Sequence, residues 1–229
     1  MDYKKIMAVG GHIGDMELTA GGVLATCAAQ GGEIMTVALT AGERGCPPTM
    51  SETEYRKQKI NEAEIFAGMM NGRAVVFDTP DGELEKTEEN VLHLARLIRE
   101  FKPELIITHW SSSLHKDHIN CHHITKDASF FAGLAPYKMD DLPSHNADDL
   151  WYAENWEDPT GFVPYIYTDV TLGYEVWRKA IEKHWFVTGS KDFPYLRYYD
   201  HLQVVRGCLI RKDRAQAFAI DEMKKIKYV

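Results

Sequence analysis

Two hydrophobic periods alternate along this chain. Short unbroken apolar runs, such as Ile6-Met7-Ala8-Val9 and Leu105-Ile106-Ile107, read as strands covered on both faces, because no polar alternation marks a wet side. Between such runs, apolar residues return every three or four positions, as on one face of a helix. The first strand spans residues 4–10. A helix over 16–30 follows, with Leu18, Val23, Leu24, Cys27 and Ala28 as its apolar members and Gly31-Gly32 to stop it. A second strand covers 33–40, and a breaker-rich loop, Gly42-Glu43-Arg44-Gly45-Cys46-Pro47-Pro48, follows. Ser51 and Glu54 form a capping box that opens a helix reaching Met70, and Asn71-Gly72 end it. A short strand at 74–77, a Pro80-Asp81-Gly82 turn, a helix over 87–101, a strand over 105–108 and a helix reaching 131 complete four β-α units. Such alternation predicts a parallel sheet with right-handed crossovers.

Beyond that the pattern weakens. Residues 133–149 are polar and aperiodic and read as a long loop, expected to act as a lid over the site. Strands are expected at 150–153 and 165–169, and helices at 171–184 and 195–209. The expected architecture is therefore one Rossmann-like three-layer α/β domain over 1–229 with a mainly parallel sheet. Its core is 1–135, and 136–229 supplies C-terminal decoration and the lid. A length of 229 residues and 45% hydrophobic content suit one large domain.

A net charge of −8, with no block of Lys or Arg, argues against nucleic acid or an anionic membrane as partner. No run has the length of a membrane span, and the N-terminal apolar stretch is too short for a signal peptide. Cys27, Cys46, Cys121 and Cys208 are scattered, as expected of free thiols in a cytoplasmic protein. The oligomeric state is left open, a homo-oligomer included.

The chemistry gathers on two loops. Gly11-His12-Ile13-Gly14-Asp15-Met16-Glu17 follows the first strand, and His115-Lys116-Asp117-His118 follows the fourth. In an open parallel sheet all strand-to-helix loops emerge at one edge. Two histidines and a carboxylate brought together there make a three-ligand site for a divalent metal with a position open to water. Taken alone, the first loop would be a glycine-rich turn with Asp15 as a helix cap. A phosphate loop is disfavoured: the spacing is not Gly-x-Gly-x-x-Gly, and a carboxylate stands where phosphate would lie.

These residues also carry a family resemblance. The stretch His12 to Gly22, HIGDMELTAGG, resembles the opening motif of the PIG-L/LmbE-like de-N-acetylases, His-Pro-Asp-Asp-Glu followed by Gly-Gly. HKDH at 115–118 resembles that family's His-Pro-Asp-His, and Leu39 to Gly45 resembles its Thr-x-Gly-Glu-x-Gly loop. Pro80-Asp81-Gly82 and Thr108-His109 fall where the family has similar residues. Arg206-Gly207 and Ala215-Gln216-Ala217-Phe218 resemble a weaker C-terminal pattern.

The resemblance implies Zn²⁺, or another divalent metal, on His12, Asp15 and His118, and two nitrogens with one carboxylate suit zinc. It implies hydrolysis of an N-acyl amino sugar or related small amide by metal-activated water. His115 would face the reacting group as an imidazolium and steady an oxyanion. Asp117 would stand behind the metal, handle a proton, or merely cap the helix. Substrate contacts would come from Glu43, Lys59 and Trp110. Glu43 reads equally as a solvated loop charge, and Trp110 as packing at the sheet edge. Lys59, with Glu62, stands where the family often has Arg-x-x-Glu, without the fork of a guanidinium. His122 shares a helix face with His118 and is a substitute ligand or a bystander.

One departure is marked. The first aspartate of the family's Asp-Asp pair is its presumed general base, and here that position is Gly14. Asp117, His115 or Glu17 would then take the proton, or the substrate would need no base. Alternatively the metal site survives in a catalytically altered protein that binds a ligand or performs a different hydrolysis.

Overall fold

The structure, a computed structural model, describes residues 2–226. Seven strands form one sheet: β1 (Lys5–Gly10), β2 (Glu33–Ala38), β3 (Arg73–Val76), β4 (Leu105–Thr108), β5 (Asp149–Ala153), β6 (Ile166–Asp169) and β7 (Ala215–Ala219). Their order is β3-β2-β1-β4-β5-β7-β6. β1 to β5 run parallel, and β7 pairs antiparallel with both β5 and β6. The helices are α1 (Asp15–Thr19), α2 (Gly21–Ala29), α3 (Glu52–Gly68), α4 (Glu88–Phe101), α5 (Lys116–Gly133), α6 (Tyr174–Ile181), α7 (Trp185–Thr188) and α8 (Tyr195–Leu209).

Side chains of β1 alternate between two cores. Ile6 and Ala8 join Leu24, Trp177 and Phe218 on one face, and Met7 and Val9 join Leu94, Ile98 and Ile124 on the other. Helices on both faces explain the unbroken apolar runs and give the three layers. The chain leaves β1 toward β2 and β3, then returns to β4 on the other side of β1. That reversal opens a crevice at the carboxyl ends of β1 and β4, where ligands bind in open α/β sheets. The two histidine loops flank it.

Three expectations change. The helix over 16–30 is broken at Ala20 (φ −122°, ψ −4°) into α1 and α2. Trp177 Nε1 donates to the Glu17 carbonyl at 2.8 Å, taking the acceptor that a continuous helix would offer to Gly21. A Cβ at Gly21 would stand 2.6 Å from that same nitrogen, so only glycine lets the indole in. The strand Ala215-Gln216-Ala217-Phe218-Ala219 was not expected, because small residues carry little strand signal; burial on both faces selects it.

The segment 134–148 is not a lid. Asp148 N donates to the Glu104 carbonyl just before β4, so the segment runs along the sheet edge opposite the crevice. Arg99, buried in α4, pins it by donating to the carbonyls of Phe131, Ala132, Leu134, Tyr137 and Leu142. The four cysteines are free thiols. Among the described residues no helix is long and apolar enough to cross a membrane.

Candidate metal centre

Gly14 begins α1 with φ +110°, a left-handed turn that brings His12 back over Asp15. The His12 amide donates to Asp15 Oδ2 at 2.7 Å. Across the crevice His115 caps α5, its Nδ1 accepting from the Asp117 amide at 3.1 Å, and this aims the first turn inward. Three atoms then meet. His12 Nδ1 lies 3.2 Å from Asp15 Oδ2. His118 Nε2 lies 3.3 Å from Asp15 Oδ2 and 3.3 Å from His12 Nδ1. A tetrahedral ion with bonds of about 2.0 Å has ligand-to-ligand edges of about 3.3 Å, so the donors already stand at coordination spacing.

Charge holds the triangle together. Burial works against the charged form of His118, but Asp15 and hydrogen bonds to Asp15 and Asp158 outweigh it and raise its pKa to about 9. His12 is likewise raised well above its ordinary value against its burial, chiefly by Asp15. Asp15, also opposed by burial, is held well below the usual carboxylate range by His118 and His12. The site attracts positive charge, which protons supply and a divalent cation would supply better.

The outward nitrogens are spoken for by carboxylates. His12 Nε2 lies 3.1 Å from Asp81 Oδ1 and 3.3 Å from Asp117 Oδ2. His118 Nδ1 lies 3.3 Å from Asp158 Oδ1. Assigning protons to these outer nitrogens leaves His12 Nδ1 and His118 Nε2 bare toward each other, as metal-ligating histidines require. The other oxygen of Asp158 lies 3.2 Å from His109 Nδ1, while His109 Nε2 accepts from the Gly11 amide at 3.0 Å. One buried carboxylate thus spans two stacked imidazoles, and His109 in turn ties the end of β4 to the loop after β1.

The PIG-L family, described as GlcNAc-PI de-N-acetylase, matches residues 7–129, more than half of the chain. The chain belongs to this family. It is 23% identical to 4-oxalmesaconate hydratase of Pseudomonas putida over 217 residues, covering 92% of this chain and 82% of the hydratase. It is 28% identical to mycothiol S-conjugate amidase of Streptomyces coelicolor over 159 residues, 58% of this chain and 54% of the amidase. It spans about half the length of the amidase and deacetylase relatives it matches. The structure of N,N'-diacetylchitobiose deacetylase from Pyrococcus horikoshii superposes with a TM-score of 0.81 at 20% identity, over 96% of this chain and 84% of the deacetylase. That likeness shows the fold.

No space is left at Gly14, where the resemblance implies a carboxylate. A Cβ on Gly14 would overlap Cζ of Phe186 and stand 2.5 Å from its Cε1. The ring fills the direction a side chain at position 14 would take. Glu17 does not replace it: its carboxylate turns back to accept from the Gly14 amide at 2.9 Å, and burial raises its pKa to about 7.

Other expected residues divide. Asp117 is wholly buried behind His12, accepting from the Gly82 amide at 2.7 Å, and is not on the cleft wall. Its place is that of an orienter of His12. Glu43 is a strut: it accepts from the Asp81 amide at 3.0 Å and faces Arg56 at 3.4 Å. Trp110 packs on Tyr152 and Phe162 and donates to the Thr160 carbonyl at 3.0 Å, the packing alternative. Neither lines the cleft. His122 faces the His109 carbonyl at 2.9 Å, away from the triangle.

Two expected residues do line the cleft. The Lys59 amine, its pKa lowered by burial, contacts the Gly42 carbonyl at 3.3 Å and sits over the rings of Tyr55 and Phe186. Burial, then the charges of His12 and His118, lower the pKa of His115, so the expected imidazolium is disfavoured. A neutral ring whose Nδ1 already accepts a bond keeps Nε2–H as its donor, which still serves an oxyanion.

The C-terminal part contributes more than decoration. The cleft, about 200 Å³, is walled by Trp156, Glu157, Trp185, Phe186, Asp192 and Tyr195. Glu157 and Asp158 were missed in the sequence. Their signal was their place, a pair of carboxylates just past a fifth parallel strand, at the same sheet edge as the two histidine loops.

Proposed function

We propose that the chain is a metal-dependent hydrolase that activates water in the crevice between β1 and β4. Its substrate is the acyl amide of a small ring-bearing compound such as an N-acyl amino sugar. The observation that carries this reading is the triangle of His12, Asp15 and His118, with edges of 3.2 to 3.3 Å. Two nitrogens and one carboxylate oxygen suit Zn²⁺. A divalent cation held there would polarise a carbonyl oxygen and make water nucleophilic near neutral pH.

The chain's own residues supply the rest. Asp81, Asp117 and Asp158 hold the histidines in one orientation. His115 offers an N–H to the oxygen that gains charge. Trp156 and Trp185 line the cleft and supply aromatic surface for a sugar or aryl ring. Among the described residues lining the cleft, Lys59 is the one lysine or arginine, set against Asp15, Asp81, Glu157 and Asp192.

A second reading is hydration of an unsaturated acid. It is favoured by Phe186 in the place of the family's base, and by a hydratase relative that covers 92% of the chain. Zinc-loaded protein should be given a panel of N-acetylated sugars, with primary amine as readout, and a conjugated unsaturated dicarboxylate, with loss of ultraviolet absorbance as readout. Chelator-sensitive amine release that disappears in His118→Ala supports the hydrolase. Loss of conjugation without any amine release replaces it with the hydratase, and neither reaction leaves a ligand-binding protein.

A further inference from the structure

We infer that Glu157 is the proton acceptor that stands in for the carboxylate missing at position 14, reaching the site from the loop after β5. The inference rests on reading the crevice as a water-activating metal site. Glu157 Oε2 lies 3.9 Å from His118 Nε2, the nitrogen that completes the donor triangle. Its side chain lines the cleft and is 26% exposed, so it faces the side from which substrate and water enter.

The backbone beneath it is fixed at both ends. The Glu157 amide donates to Asn155 Oδ1 at 3.2 Å, and that oxygen also accepts from the Tyr199 hydroxyl at 3.0 Å. The Glu157 carbonyl accepts from the Leu114 amide at 2.9 Å. The next residue, Asp158, is locked between His109 and His118. These bonds fix the point from which the side chain enters the cleft.

Elimination points the same way. Asp15 belongs to the triangle. Asp81 and Asp117 face His12, Asp158 faces two imidazoles, Glu17 holds the Gly14 amide, and Asp192, on the exposed rim, accepts from the Ser190 hydroxyl at 3.0 Å. Among the described residues no donor hydrogen-bonds the Glu157 carboxylate, which leaves it free for water. In amide hydrolysis, the attacking water gives one proton to Glu157 as its oxygen bonds to the acyl carbon. As the C–N bond breaks, that proton passes to the departing nitrogen. One water is consumed, acid and amine are formed, and the carboxylate is regenerated.

The test uses the full chain loaded with zinc, Glu157→Gln, Glu157→Asp, and acetohydroxamic acid as probe. The probe binds zinc as its anion and must leave a proton behind. Calorimetry in two buffers of different ionisation heat counts the protons released, and competition with a chromophoric chelator reports zinc affinity.

The wild-type protein is expected to keep the proton on Glu157. Glu157→Gln should release about one more proton per probe bound. Its affinity for the probe should fall on the order of tenfold to a hundredfold, with zinc affinity changed by less than about threefold. Glu157→Asp should fall between the two. Any amide turnover found in the substrate panel should drop on the order of 10²- to 10⁴-fold in Glu157→Gln. Equal proton release and equal probe affinity in wild type and Glu157→Gln overturn the inference alone. Loss of zinc from Glu157→Gln overturns it too, by making the residue a ligand. A wild-type protein that takes up zinc and binds no acetohydroxamate overturns the water-activating reading, and this inference with it.

Discussion

Restoring an aspartate at position 14 should destabilise the protein unless Phe186 is removed as well. Two costs can be separated. The backbone at Gly14 has φ +110°, which a residue with a Cβ adopts at a cost of about 1–3 kcal/mol. The new Cβ would also overlap the Phe186 ring, and such overpacking costs about 1–3 kcal/mol more. Together they come to about 2–6 kcal/mol, a large part of the about 5–15 kcal/mol that holds a domain folded. At about 2–4 °C per kcal/mol for a chain of this size, Gly14→Asp should melt about 4–24 °C below the wild-type protein.

A four-cornered cycle isolates the ring. Phe186→Ala alone loses packing from a half-buried side chain. In Gly14→Asp/Phe186→Ala the overlap is gone while the backbone cost stays, so the two changes should couple favourably by about 1–3 kcal/mol. Urea denaturation of all four proteins measures this. The same four, loaded with zinc, should be given N-acetylglucosamine. The double variant has room for a carboxylate beside the triangle and should release more acetate than Gly14→Asp. Additivity within about 0.5 kcal/mol would refute the claim that Phe186 occupies the place of the family's base.

Elemental analysis of protein purified without added metal should find about one divalent ion per chain, lost in His12→Ala and His118→Ala. Asp158→Asn should keep the fold and weaken zinc affinity about 10–100-fold, because His118 and His109 lose their common anchor. His184 is buried with both ring nitrogens unpaired, and burial lowers its pKa to about 3. Its stability contribution is therefore full above about pH 6.5 and shrinks as the pH falls from there toward 3, because only the unfolded chain takes up the proton. His184→Leu should flatten the acid side of the stability curve by a few kcal/mol, read as denaturation midpoints at pH 7 and 4. Arg99→Met should strip five carbonyls of their donor and cost more than about 3 kcal/mol, with proteolysis moving to 134–148 while zinc affinity holds.

The parallel half of the fold was legible because its strands are buried on both faces and say so in unbroken apolar runs. The meeting of His12, Asp15 and His118 was legible for a related reason. Once Ile6 to Val9 and Leu105 to Thr108 are strands of one sheet, the loops after them must share an edge, and His12, Asp15 and His118 lie on those loops. What stayed hidden depends on partners distant in sequence. The break in the first helix needs Trp177, which arrives 160 residues after Glu17. β7 has no periodicity of its own, and its place comes from β5 and β6. The polarity of 134–148 suggested mobility, yet one buried guanidinium binds three of its carbonyls and two at the end of α5, and Arg99 sits in what reads as an ordinary helix face.

The site divides along the same line. The residues of the triangle could be foreseen, since His12 and Asp15 follow the end of β1 within five positions and His118 stands in the His115-Lys116-Asp117-His118 stretch after β4. Residues that orient or complete it could not, because orientation is a matter of which carboxylate meets which nitrogen. Asp81 and Asp117 share His12, and Asp158 arrives from β5 to share His118. The same geometry bears on Gly14. Within its own loop the glycine looked like a deletion of function. With Phe186 over it and Glu157 opposite, it is one part of a rearrangement in which an aromatic ring takes the carboxylate's space and another strand supplies the carboxylate. The two halves of that exchange predict opposite responses: removing Glu157's charge should abolish proton uptake at the site while leaving stability nearly unchanged, whereas adding charge at Gly14 should cost stability first.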